Sequence, residues 1–221
     1  MKAFVTLGLG VSLSLFVQGQ VDLYPVISPT RMNVVYRGIP NPMAVAVPGH
    51  TWNDIRLEVD DVHRLECDDS GTCLLTPCNN VKVRSLEVRA TVTNDEGQTT
   101  ALSPVPFRIR RIPDPELTWG GHTAEDQFIW RASMLSFASV AVAMSNFDFD
   151  VDMQVVTFWL GVERGGEFRY FRSDNFFLTE EMKQALVLTQ PGDRIWIGNA
   201  YVSMPDGTER ELAPLLLTLK D

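Results

Sequence analysis

From Val21 onward the chain alternates short runs of β-forming residues with turn signals, and a stretch of helical period breaks that rhythm only once. Such a chain buries its apolar residues by stacking sheets, so the expected fold is mainly β. In the first part, Met32 to Tyr36, Met43 to Val47, Ile55 to Val59, Cys73 to Leu75, Val81 to Thr93 and Gln98 to Leu102 read as strands. Gly38 to Pro42, Pro48-Gly49, Asp69-Ser70-Gly71 and Asn94 to Gly97 separate them as turns, by their Gly, Pro and Asn/Asp content. About seven short strands at this spacing over some ninety residues is the pattern of an immunoglobulin-like sandwich.

Pro106, Pro113 and Pro115 crowd the segment that follows. Proline interrupts a ladder, so a boundary near residues 112 to 116 is expected, giving a first domain over 20–112 and a second over 116–221. In the second, Ala138 to Met144, Met153 to Val162, Glu167 to Arg172, Arg194 to Val202 and Arg210 to Leu219 read as strands. Arg164-Gly165-Gly166 and Pro205-Asp206-Gly207 read as hairpin loops. The helical exception is Thr179 to Leu188. Thr179 caps it, Glu180 and Glu181 face the positive end of its dipole, and Pro191-Gly192 stops it. Met182 and Leu186, with Leu178 just ahead, share one face. The second domain is therefore read as a β-sheet domain carrying one short helix.

Residues 1–19 have the order of a signal peptide: Lys2, an apolar run to Val17, then Gln18-Gly19. The run falls short of the roughly 20 residues that cross a bilayer as a helix, so cleavage is expected to leave a mature chain from Gln20 with no membrane span. The net charge is −9; losing Lys2 lowers the basic count from 19 to 18 against 28 acids, for −10. Such a surface repels phosphate backbones and argues against a nucleic-acid partner.

Cys67, Cys73 and Cys78 fall close together in a chain read as exported, where disulfides persist. Asp68 to Thr72 suits a three-residue hairpin loop with Gly71 at the left-handed position, which sets Cys67 across from Cys73. That register favours a Cys67–Cys73 bond, with Cys67–Cys78 as the alternative and one thiol left over. A zinc site of His63 with the three cysteines is the weaker reading, because a paired CxxC knuckle is missing.

Catalysis needs converging groups, and the sequence offers few. His50, His63 and His122 are scattered, without HExxH, GxSxG or P-loop spacing, so the chain is read as non-catalytic and without cofactor or metal. Asn146 to Asp152 alternates Phe147, Phe149 and Val151 with Asp148, Asp150 and Asp152. Read as a strand, it presents a solvated acidic face over an aromatic one; calcium ligation is the sharper alternative, short of the usual loop glycine and distal glutamate.

Ser28 to Pro42 resembles the opening of the third domain of the GldM family, called PorM in other species. Phe107 to Pro115 with Gly120-Gly121, Asn146 to Asp150, and Pro205 to Thr208 are similar to segments of that family's fourth domain. The resemblance implies a periplasmic part of the gliding-motility and type IX secretion machinery, without the spanning helix and helical bundle that begin family members. It implies a non-catalytic adaptor that binds envelope proteins of that machinery, with a homodimer also open to it. The hairpin tips at Arg164, Gly165, Gly166 and Glu167 and at Pro205, Asp206 and Gly207 are the candidate partner-binding residues. The alternative is a secreted or cell-surface module for glycan or surface protein, for which Trp52, Trp119, Trp130, Trp159 and Trp196 are the candidate exposed aromatics.

Overall fold

The computed structural model describes residues 32–221. The leader read over 1–19, the expected start at Gln20 and the segment 20–31 lie outside the described residues. Asn33–Asp221 forms one compact unit.

The N-terminal half builds β1 (Val34–Tyr36), β2 (Asn41–Ala44), β3 (Ile55–Glu58), β4 (Arg64–Cys67), β5 (Thr72–Thr76), β6 (Ser85–Thr93), β7 (Thr99–Ala101) and β8 (Val105–Arg110). They form a five-stranded sheet, β1-β8-β6-β3 with β7 also on β6, and a three-stranded sheet β2-β5-β4. Val35, Leu86, Val88 and Ile109 from the first sheet meet Leu75 from the second in one core, with Met43, Leu57 and Leu65 packed around it. This is the sandwich expected from the turn spacing. Asn41 lets the chain pass from one sheet to the other: its buried side chain accepts from the Tyr36 N–H and donates to the carbonyls of Tyr36, Ile39 and Leu75. A side-chain amide thus stands in for a missing piece of ladder.

Two strands of this half were not read from the sequence. Arg64–Cys67 carries little apolar periodicity, and Val105–Arg110 was masked by Pro106. The structure reconciles that proline with a strand: β1 pairs with β8 only from Arg108 onward, so Pro106 sits where β8 has β6 on one side alone.

The C-terminal half adds β9 (Glu116–Thr118), β10 (Phe128–Trp130), α1 (Arg131–Ser136), β11 (Ala141–Ala143), β12 (Gln154–Arg164), β13 (Glu167–Ser173), α2 (Glu180–Val187), β14 (Arg194–Ser203), β15 (Glu209–Glu211) and β16 (Leu215–Lys220). Its main sheet runs β10-β16-β14-β12-β13, with β15 on β14, and β9 pairs with β11. Val155, Phe158 and Leu160 of β12, Ile195 and Ile197 of β14, and Leu215 and Leu217 of β16 point to one core, which Met182 and Leu186 of α2 close. Thr179 accepts from the Met182 N–H as expected of the cap.

Three readings need correction. Helix α1 joins α2, so the half has two helices; at six residues without a side-chain cap, α1 is too short to show a period. The expected strand from Arg210 to Leu219 is split into β15 and β16 around Leu212–Pro214. The acidic run Asn146–Asp152 lies outside any strand, with Asn146 in a turn at φ +60° and a bend at Phe149. Its alternation still holds, with Phe147 and Phe149 turned inward and Asp148, Asp150 and Asp152 exposed.

Every ladder pairs strands from the same side of residues 111–115, but side chains cross that line. Tyr36 packs edge-on to Phe147 and Phe149, at 4.8 and 5.4 Å between centroids. Ile39 and Ile112 join the C-terminal core. The proline-rich segment is a strap anchored by buried Ile112 and Pro115, with Arg111, Pro113 and Asp114 exposed.

Candidate interaction surfaces

The Cys67–Cys73 hairpin is built as its loop chemistry dictates. Gly71 has φ +88°, its N–H donates to the Asp68 carbonyl, and Cys67 and Cys73 are direct cross-strand partners joined by a disulfide. The Asp68 carboxylate accepts from the Ser70 hydroxyl and the N–H groups of Ser70 and Thr72, which holds its pKa below the usual value. Cys78 is the remaining free thiol. The bridge occupies two of the four groups that the zinc reading requires.

His63, which is 9% exposed, accepts on Nδ1 from the Cys78 N–H at 3.1 Å, so the fold holds the neutral imidazole. Burial lowers its pKa, against an opposing pull from Asp60. The unfolded chain therefore binds this proton more readily. Stability should be full above the unfolded histidine value of about 6.5 and fall as pH drops below it. Urea melts at pH 7.5 and 5.5 should show the loss in wild type and a smaller loss in His63→Gln. Removing the bridge by Cys67→Ser with Cys73→Ser should cost roughly 2 kcal/mol on the loop-entropy estimate. Thiol labelling of the unreduced, denatured wild type should find only Cys78.

The two hairpin tips differ in kind. Gly165 and Gly166, at φ +60° and +85°, make the two-residue turn between β12 and β13, with Arg164 opposite Glu167. All four residues of this tip are accessible except that Arg164 and Glu167 also border a groove toward Ala185 and Leu188 of α2. The other tip is partly buried. Asp206 is 7% exposed, its Oδ1 accepts from the Thr208 N–H and hydroxyl, and its Oδ2 accepts from Arg210 at 2.8 Å. Pro205 is half-buried and Gly207 is exposed. Burial opposes ionisation of Asp206, but the Thr208 hydrogen bonds and the Arg210 charge outweigh it and lower its pKa. Asp206 is thus tied to the strap. Arg210 also donates to the carbonyls of Ile112 and Pro113 and to Asp114.

Sequence reasoning did not find the outer face of the main sheet. Trp159, Phe168, Tyr170, Arg194, Trp196, Asn199 and Leu216 line a cleft there of about 440 Å³. Trp196 forms its floor over Gly161 and Gly198: a Cβ on Gly198 would lie 2.3 Å from the Trp196 ring, so the indole lies flat against the sheet. Glu163 and Arg194 pair at 3.3 Å beside it. Of the tryptophans read as candidate exposed aromatics, Trp159 and Trp196 share this cleft and Trp130 is 57% exposed on the same sheet. Trp52 is half-buried beside the disulfide hairpin, and Trp119 is wholly buried.

Fold and surfaces together define a mainly β protein, stapled by one disulfide, with an exposed Arg164–Glu167 hairpin tip and an aromatic cleft on its main sheet. Residues 25–110 match the family model of the GldM third domain. No protein with a curated description matches the chain. Among solved structures it is similar to the fibronectin(III)-like modules of Clostridium thermocellum CbhA, at 10% identity, TM-score 0.26, covering 84% of this chain and 87% of that one. A Bacteroides ovatus mixed-linkage glucan utilization protein, SGBP-B, shares 13% identity at TM-score 0.27, over 90% of this chain and 46% of its own. Chicken VE-cadherin EC1-2 shares 13% at TM-score 0.26, over 85% and 96%. Superpositions this loose carry no argument about function. Among the described residues no helix is long and apolar enough to cross a membrane.

Proposed function

We propose that this protein is a non-catalytic, exported accessory of the gliding and type IX secretion machinery that acts in the periplasm by binding envelope proteins of that machinery. The match of residues 25–110 to the GldM third domain carries the reading. The likeness of Phe107–Pro115, Asn146–Asp150 and Pro205–Thr208 to the family's fourth domain extends it, with domains at 20–112 and 116–221. Contact through the Arg164–Glu167 tip fits the exposure of Gly165 and Gly166 and leaves the sheet intact when the tip is changed. Replacing Arg164 and Glu167 together by Ala should weaken co-purification of envelope partners about ten-fold without moving the melting temperature. Unchanged recovery would place the contact elsewhere.

The indole-floored cleft favours one second reading, a secreted module that stacks a glycan ring on Trp196. Recovery of glycans or surface proteins in place of machinery components would select it.

A further inference from the structure

The outer face of the five-stranded sheet holds a second cleft, of about 710 Å³, where β8 meets the start of β6 and the end of β1. Arg37, Arg84, Arg108, Arg110 and Arg111 line it, and among the described residues no acidic one does. In a chain of net charge −9 this is a local inversion of sign. Arg111 pairs with Asp114, but that carboxylate is shared with Arg210. Arg84 and Arg110 make no ion pair with any described residue.

Arg37 sharpens the case. It is 7% exposed, its Nη2 donates to the Val83 carbonyl at 2.6 Å, and its buried Nε has no acceptor among the described residues. No described carboxylate pairs with it. A guanidinium taken out of water without a counter-charge is costly, and an anion seated in the cleft would offset that cost. The shape of the charge also points to the ligand. Arg108 and Arg110 stand two residues apart on one strand, about 6.6 Å along it, which is the repeat of same-side residues in any extended chain. Arg37 follows β1, its N–H donating to the Arg110 carbonyl, Arg111 follows β8, and the Arg84 carbonyl accepts from the Ile109 N–H on the other side.

We infer that this cleft binds an extended acidic segment of a partner protein, its carboxylates at alternate positions meeting the arginine row in forked hydrogen bonds. The inference goes beyond the envelope reading and stands on the cleft alone, whichever protein supplies the segment. A single phosphate would use one or two of these guanidinium groups, whereas an alternating acidic strand engages the row.

The test titrates the full chain into a fluorescein-labelled peptide of about ten residues that alternates aspartate with threonine, followed by anisotropy. A peptide of the same composition with its aspartates in one block, inorganic pyrophosphate, and phosphatidylglycerol vesicles are the comparison ligands. The alternating peptide should bind most tightly and weaken as salt rises. Arg84→Gln with Arg110→Gln, both exposed, should weaken it about ten-fold while the melting temperature stays put. Equal affinity of wild type and double variant, no preference for the alternating peptide, or tighter binding of pyrophosphate or vesicles would overturn the inference. So would self-association of the chain, seen by sedimentation, that the double variant abolishes while peptide binding is absent.

Discussion

Arg210→Ala should lower stability by about 3–5 kcal/mol, because it leaves Asp206 as a buried carboxylate without its counter-charge. The arginine side chain is 8% exposed and that of Asp206 is 4% exposed, so water can supply little of the lost interaction. The same change strips donors from the carbonyls of Ile112 and Pro113, which lie in the strap between the two sets of sheets. Asp206→Asn should be milder, since Arg210 keeps Asp114 and both carbonyls. The lowered pKa of Asp206 adds a pH signature. Its contribution is present above the unfolded aspartate value of about 3.9 and is lost as pH falls through the lower folded value. Chemical denaturation of both variants across acid pH measures this, and a loss below 1 kcal/mol for Arg210→Ala would mean that the strap is not held by this network.

Gly38→Ala should be the second large effect. Gly38 has φ +76°, and a Cβ there would sit 2.6 Å from the Asp206 Cα and 2.7 Å from its nitrogen. Both neighbours are backbone, so the Pro205–Gly207 turn itself has to move. Left-handed strain of about 1–2 kcal/mol and overpacking of about 1–3 kcal/mol together predict a loss of roughly 3 kcal/mol. Gly49 supplies the control, at φ +79° with nothing within 4 Å of a built Cβ. Gly49→Ala should show the strain alone. If the two variants lose the same stability, the close approach of Gly38 to Asp206 is not tight.

What the sequence made legible follows the range of the interactions concerned. The Cys67–Cys73 bridge, the Gly165-Gly166 turn and the Thr179 cap are set by residues adjacent in the chain, and each was readable from spacing. Strand β4 and helix α1 were not, because Arg64–Cys67 and Arg131–Ser136 owe their form to β5 and to the core under Met134. The acidic run shows the limit from the other side. Its alternation correctly gave which residues turn inward, but Phe147 and Phe149 are ordered by the ring of Tyr36, over a hundred residues away, and not by a ladder. Pro205-Asp206-Gly207 announced a turn; that Asp206 is buried depends on Gly38 and Arg210, which no local pattern joins. The aromatic cleft was hidden for a similar reason, since Gly161 comes opposite Trp196, and Trp159 opposite Gly198, only when β12 and β14 pair.

The central claim is that this chain works by binding gliding and type IX envelope proteins. Cross-linking in intact cells, with the tagged full-length chain recovered under denaturing conditions and its partners identified by mass spectrometry, tests it most directly. The account predicts machinery components among the cross-linked proteins, depleted when Arg164 and Glu167 are replaced by Ala. Cross-links confined to glycan-bearing or unrelated surface proteins, unchanged by that replacement, would contradict it.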